Sequence, residues 1–269
     1  AYMRLKNMNK EHFSSISNIR RYLKWNLKKT LGFKQILATT EFGARIELDF
    51  VDQSASPIFF RKYETEEIEL IRSYVKPGMT VVDIGANIGF FTLLMGNLVA
   101  SQGKVFAFEP NPRMIGHLEG NILLNRNLCD GRIHVEKAAL GAEQKETDFY
   151  SPISGYDCVG GLKDTKRAPL EKVYRVRLNT LDQWIEFHKL QRIDFIKMDV
   201  EGGELDILRG AERMLKFMRP AILFEAYEQN TDPYGYAVKD ILDYLSHRNY
   251  RILPTQSGYN FFAIPTNTV

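Results

Sequence analysis

Residues Val81 to Gly89, reading Val-Val-Asp-Ile-Gly-Ala-Asn-Ile-Gly, demand a buried strand, a glycine turn and an apolar helix in immediate succession. Few arrangements accept that order. Glycines at 85 and 89 let the backbone approach a ligand that a Cβ would hold off, and the helix that follows aims its unpaired N–H groups into the same space. Val105-Phe-Ala-Phe108 reads as a second parallel strand, and Glu109 at its end can accept both hydroxyls of a ribose. Strand, turn and acid together predict a nucleotide-type cofactor cradle.

The turn departs from the dinucleotide fingerprint. Asn87 stands at the middle glycine position, and Asp83 sits two residues before the first glycine. A pyrophosphate would be repelled by that carboxylate. S-adenosyl-L-methionine has no phosphate, and its ammonium can meet an acid directly or through water. The methyl donor is therefore the expected cofactor, held by Asp83, Gly85, Asn87, Gly89 and Glu109, and an NAD-dependent oxidoreductase is disfavoured. Asp83 as a simple helix cap explains neither the glycines nor Glu109.

Three blocks in order, Val81-Val-Asp-Ile-Gly-Ala-Asn-Ile-Gly-Phe90, Phe108-Glu-Pro-Asn-Pro112 and Ile193-Asp-Phe-Ile-Lys-Met-Asp-Val-Glu-Gly-Gly-Glu204, resemble the FkbM family of S-adenosylmethionine-dependent O-methyltransferases. Arg219-Pro-Ala-Ile-Leu-Phe-Glu225 adds a fourth. The resemblance implies a Rossmann-like class I methyltransferase: an α/β fold with a seven-stranded, mostly parallel sheet closed by a C-terminal antiparallel hairpin. It also implies methylation of a hydroxyl on a sugar, glycan or glycolipid, with a polyketide-type or other natural product as the alternative acceptor. An inactive scaffold would show degraded cofactor motifs, and these are intact.

Methyl transfer to oxygen needs the acceptor aligned behind the sulfonium methyl and a proton removed from a weakly acidic alcohol. Asp199, Glu201 and Glu225 fall at the carboxyl ends of the fourth and fifth core strands, where such a base is needed. By resemblance, Asp199 and Glu201 border the methionine end of the cofactor, and Glu225 reaches in from the next strand. Glu225 or Glu201 is the expected base. Lys197 shares a strand face with Asp199, and a charged pair in an apolar strand points to a site role. Convergent carboxylates can also hold Mg2+ through water, a minority alternative with no metal ligand assigned. No catalytic role falls to His12, His117, His134, His188 or His247. Ala138, with Ala139, is small enough for adenine to lie against the backbone, which is also where the family pattern puts it.

The remaining pattern is alternating. After a basic N-terminal segment, residues 34 to 50 read as a β-hairpin around Glu41-Phe-Gly43. Strands near 79–84, 104–108, 132–136, 193–198 and 220–225 alternate with helices, which means a parallel sheet. A closing hairpin covers 250–253 and 259–264. Residues 1–58 are expected to form an extension and 59–269 the catalytic domain. Between the third and fourth strands, Ser151 to Lys172 is rich in Gly, Pro, Ser and charge and predicts a mobile loop over the site, with Tyr156 and Asp157 as acceptor contacts.

At 269 residues and 44% hydrophobic content the chain suffices for one well-buried core. Two cysteines without metal-ligand spacing support neither a disulfide framework nor zinc, and no signal-peptide or membrane-spanning pattern is visible, so a cytoplasmic protein is expected. The net charge of +3 hides an asymmetry: residues 1–34 hold nine Lys/Arg and one acid, against 27 basic and 32 acidic residues in the rest. Phe13, Ile16, Ile19, Leu23, Leu27 and Leu31 recur at helical spacing among Arg20, Arg21, Lys24, Lys28 and Lys29, predicting a basic amphipathic helix. Its apolar stripe is expected to pack on the core; weak peripheral contact with an anionic membrane, or with a partner copy in a homo-oligomer, is the alternative. No nucleic-acid module is implied.

Overall fold

The computed structural model describes residues 16–129 and 131–266, so Phe13 and His12 lie outside the described residues. Helix α1 (Ile16–Thr30) leads into a hairpin of β1 (Gln35–Thr39) and β2 (Arg45–Asp49), followed by α2 (Ala55–Phe59) and α3 (Thr65–Tyr74). Then come β3 (Thr80–Ile84), α4 (Phe90–Leu98), β4 (Lys104–Phe108), α5 (Pro112–Leu124), α6 (Arg126–Cys129) and β5 (Ile133–Glu136). An insertion holds β6 (Ala139–Leu140), β7 (Lys145–Pro152) and β8 (Leu170–Asn179). The chain continues through α7 (Leu181–Phe187), β9 (Phe195–Met198), α8 (Glu204–Arg209), α9 (Glu212–Phe217), β10 (Ala221–Glu225), α10 (Glu228–Thr231), α11 (Val238–Ser246), β11 (Tyr250–Pro254) and β12 (Asn260–Pro265).

Seven strands form one sheet in the order β11-β12-β10-β9-β3-β4-β5. β3, β4, β5, β9 and β10 run parallel, and β12 inserts antiparallel between β10 and β11. This is the class I methyltransferase sheet expected from the sequence. The parallel strands read as unbroken apolar runs because helices cover both faces. Val82, Ile84, Ile222 and Phe224 join one core layer, while Val81, Ala221 and Leu223 join the other.

Local sequence sets the helix starts. Asn111 accepts from the Arg113 N–H at 3.1 Å and Pro112 takes the first helical position of α5. Thr180 Oγ1 accepts from the Gln183 N–H at 3.2 Å to open α7. The order of β3 between β4 and β9 makes the carboxyl end of β3 the place where the winding reverses, and a ligand crevice opens there.

Two expectations change. The segment 151–172 is flanked by two long strands, β7 and β8, which pair antiparallel in a three-stranded sheet with β6. Their mixed, half-exposed pattern hid them from a search for apolar alternation. The N-terminal helix forms, but its apolar stripe does not face the core. Trp25 is the residue that packs, with ring centroids 4.7 Å from Phe50, 5.0 Å from Phe59 and 5.7 Å from Phe60. The hairpin and α2 share that core with Phe91 and Met95 of α4.

Trp25→Ala should cost about 3 kcal/mol of stability through the cavity it leaves. Chemical denaturation should register this as a lower midpoint at unchanged slope, and a loss under about 0.5 kcal/mol would mean that the extension contributes little to the core.

Candidate active site

Gly85 sits at φ +83°, and a Cβ there would lie 1.9 Å from the Asp199 carbonyl oxygen. No side chain fits. The close approach locks the turn after β3 to the end of β9, the two adjacent central strands. Asn87 follows at φ +49° and Gly89 at φ +91°, where a Cβ would meet Leu118 Cδ1 at 2.7 Å.

Glu109 closes the turn from the neighbouring strand. One of its oxygens accepts from the Asn87 N–H and the other from the Asn111 N–H, each at 2.8 Å. Each oxygen keeps a further lone pair for a ligand hydroxyl. Burial pushes its carboxyl up to about 7, against the pull of these two N–H groups.

A cleft opens on these residues. Gly85, Asn87, Glu109, Ala138, Asp199 and Glu201 all line it. The fit to a nucleoside is good: a carboxylate for the ribose, Ala138 and Ala139 beside Leu140 and Phe149 for a flat base, and a glycine wall open to close approach. Asn87 Oδ1 is also buried with no protein donor.

Asp83 and Gly89 do not line the cleft. Asp83 is 1% exposed and accepts from the Thr92 hydroxyl. Burial raises its pKa, and Lys197 opposes the rise. It braces the cradle from beneath. Asp157 does line the cleft, but its carboxylate is ion-paired with Arg113 and accepts from the Gly155 N–H at 3.2 Å. Tyr156 is 37% exposed and lines none of the cavities described here. The glycine-rich segment does lie over the site, through Cys158, Gly160, Gly161 and Leu162.

The carboxylates predicted at the strand ends converge: oxygens of Asp199, Glu201 and Glu225 lie within 4.8 Å of one another. Lys197, 5% exposed, reaches Asp199 Oδ2 at 3.0 Å and stands 4.6 Å over the Phe91 ring. Burial opposes its charge, yet Asp199, Glu64 and Asp83 outweigh burial and raise its pKa. Glu201, at φ +61°, pairs with Arg167 and accepts from Asn230 Nδ2 at 2.7 Å. Burial, then the Asp199 charge, pushes Glu201 up to about 8. Glu225 rises to about 9 through burial and the charges of Asp199, Glu201 and Glu204.

Beyond the cluster lies a second, open groove, lined among others by Tyr63, Glu64, Arg167, Glu225, Tyr227 and Tyr259. Asp199 and Glu201 face the first cleft and Glu225 faces this one, so the carboxylates stand where the two spaces meet. Sequence reasoning missed Glu64, Arg167, Asn230 and Glu204. Glu204 Oε1 accepts from the Val200 and Gly202 N–H groups at 3.2 and 3.3 Å and fixes the turn that carries Glu201. Glu204 stood inside the motif; Glu64 and Arg167 come from loops and Asn230 from the short helix α10, and no local pattern announces their approach to the site. The described histidines line neither space.

The Methyltransferase FkbM domain matches residues 83–252. The chain belongs to the FkbM methyltransferase family. It is 27% identical over 232 residues to the AMB antimetabolite synthetase AmbE of Pseudomonas aeruginosa, covering 70% of this chain and 10% of that protein. It is 25% identical over 154 residues to the hexuronic acid methyltransferase AglP of Haloferax volcanii, covering 57% of this chain and 58% of that one. To the 2-O-methyltransferase NoeI of Sinorhizobium fredii it is 26% identical over 180 residues, covering 62% and 70%. The matched blocks hold the cradle and the strand-end carboxylates described above.

Gly85→Ala should destabilise the protein by at least about 2 kcal/mol, since the left-handed conformation and the contact with Asp199 both oppose a Cβ. A melting temperature equal to that of the unaltered protein would show that the turn is free to move. Glu109→Gln should weaken binding of S-adenosylhomocysteine by about 2 kcal/mol in calorimetry, as an amide replaces a charged acceptor. Unchanged affinity would remove Glu109 from the ribose site.

Proposed function

We propose that the protein transfers a methyl group from S-adenosylmethionine to a hydroxyl of a neutral sugar. The observation that carries this reading is the carboxylate cluster standing between the cleft lined by Gly85, Asn87 and Glu109 and an open polar groove. The family match, the hexuronic acid methyltransferase AglP and the 2-O-methyltransferase NoeI support methyl transfer to a sugar hydroxyl, while the preference for a neutral sugar rests on the groove alone.

Gly85, Asn87, Glu109 and Ala138 hold the cofactor, and Asp199 borders its methionine end. Bound S-adenosylmethionine supplies an electrophilic methyl on a sulfonium. The protein must then bring the acceptor oxygen in line and take its proton. Glu225 fits the second task because it faces the groove and is only weakly held, with Asn230 Nδ2 at 3.5 Å. Its raised pKa makes its carboxylate a strong base, drawing a proton from an alcohol more readily than an ordinary glutamate does. Glu201 is tied to Arg167 and Asn230 and serves to position, while Lys197 donates to Asp199 beside it at 3.0 Å.

The groove also selects. Tyr227 and Tyr259, with centroids 6.1 Å apart, offer exposed ring faces to a sugar. Glu64, Glu66, Glu67 and Glu225 line it against Lys62 and Arg167, and Arg167 is already paired. Such walls accept hydroxyl donors and repel an anionic sugar. Methyl-labelled cofactor incubated with fractionated extracts should label a glycosidase-sensitive pool, and label confined to non-sugar small molecules would overturn the sugar reading.

Glu225→Gln should keep its affinity for S-adenosylhomocysteine while turnover falls by at least about 100-fold. Because the base works only once deprotonated, turnover of the unaltered protein should climb with pH toward about 9. A variant of normal rate, or a rate falling over that range, would exclude Glu225 as the base.

A further inference from the structure

Helix α1 is anchored on one face and bare on the opposite one. At 3.6 residues per turn Ile19, Leu23 and Leu27 fall together on the side away from Trp25, and Leu31 continues the line. Their exposures are 39%, 61%, 61% and 65%. The helix is not placed to roll this stripe inward. Trp25 is held among three phenylalanines, Arg21 Nη1 donates to the Phe59 carbonyl at 3.0 Å, and Lys24 Nζ donates to the Leu37 carbonyl at 3.2 Å. Phe33, 50% exposed, and Leu37, 39% exposed, extend the apolar surface onto the hairpin.

Charge borders the stripe. Arg20, Lys24 and Lys28 follow one margin of it, Lys29 lies on the other side, and residues 16–31 contain no acid. Leucines held out toward water, with cations as the only charges on the helix, match the boundary between headgroups and acyl chains in an anionic bilayer. The leucines enter the boundary, and the long basic side chains stay with the phosphates. A second copy of the same basic surface would bring like charges together, so a lipid surface is the better complement.

We propose that α1 is an interfacial helix that seats the protein on an anionic lipid surface. Its 15 residues span about 22 Å and lie along such a surface. Among the described residues no helix is long and apolar enough to cross a membrane. The helix rests on α2, and the chain just beyond α2 supplies Lys62, Tyr63 and Glu64 to the wall of the acceptor groove. If the sugar reading holds, a lipid-linked sugar would meet the groove at the surface the helix grips; the lipid contact itself does not depend on that reading.

Cosedimentation of the full chain with vesicles tests it. The protein should pellet with phosphatidylcholine vesicles containing phosphatidylglycerol, stay in solution with phosphatidylcholine alone, and come off the anionic vesicles as salt rises. Leu23→Ser/Leu27→Ser should lower the partition coefficient by roughly tenfold or more, and Arg20→Gln/Lys28→Gln by a similar factor. Neither pair should move the thermal melt, because none of these side chains is buried in the core. Equal recovery of the leucine variant and the unaltered protein would overturn the proposal. So would a dimer in sedimentation velocity that Leu23→Asp splits, without any vesicle binding: the stripe would then be a contact between copies.

Discussion

A single buried ammonium organises the catalytic end of the sheet. Lys197 lies on a central strand, with Asp199 at 3.0 Å and the carboxylates of Glu64 and Asp83 in its field. One positive charge among several buried carboxylates leaves a surplus of negative charge. Burial first, and then that surplus, pushes Glu201 up to about 8 and Glu225 up to about 9. Lys197 gives Asp199 a counter-ion at hydrogen-bonding distance.

Such a cluster is costly to fold, since removing charges from water is only partly repaid by their mutual attraction. The surrounding structure holds it in place by other means. Gly85 lets one strand end meet the next at a distance no side chain allows, Glu204 pins the turn beneath Glu201, and Arg167 with Asn230 fixes the Glu201 carboxylate. Asn87, Glu64 and Glu201 all adopt left-handed backbone conformations at this site. Non-glycine residues hold that conformation where the surroundings over-determine it, and such residues cluster at functional centres.

The N-terminal helix shows how a correct pattern can be given the wrong direction. The spacing of Ile19, Leu23 and Leu27 specifies a helical stripe, but periodicity does not say whether the stripe meets protein or solvent. Trp25 marks the face that packs, its ring lying among Phe50, Phe59 and Phe60. Tyr156 illustrates the same limit: proximity in sequence to cleft residues did not put its side chain in the cleft.

The sequence by itself determined the sheet and its cradle. Apolar strands of the parallel core, the glycine turn and the acids at strand ends are local features, legible because side-chain period, backbone freedom and strand termini are set by neighbours in the chain. β7 and β8 escaped because half-exposed strands alternate weakly, and their pairing depends on each other. Only the tertiary structure decided which acids share a field, that Asp83 lies beneath the cradle, that Arg167 and Asn230 come from distant segments to hold Glu201, and which face of α1 meets the core. Those outcomes depend on distances between segments far apart in sequence, and on burial that no segment possesses until the others have packed around it.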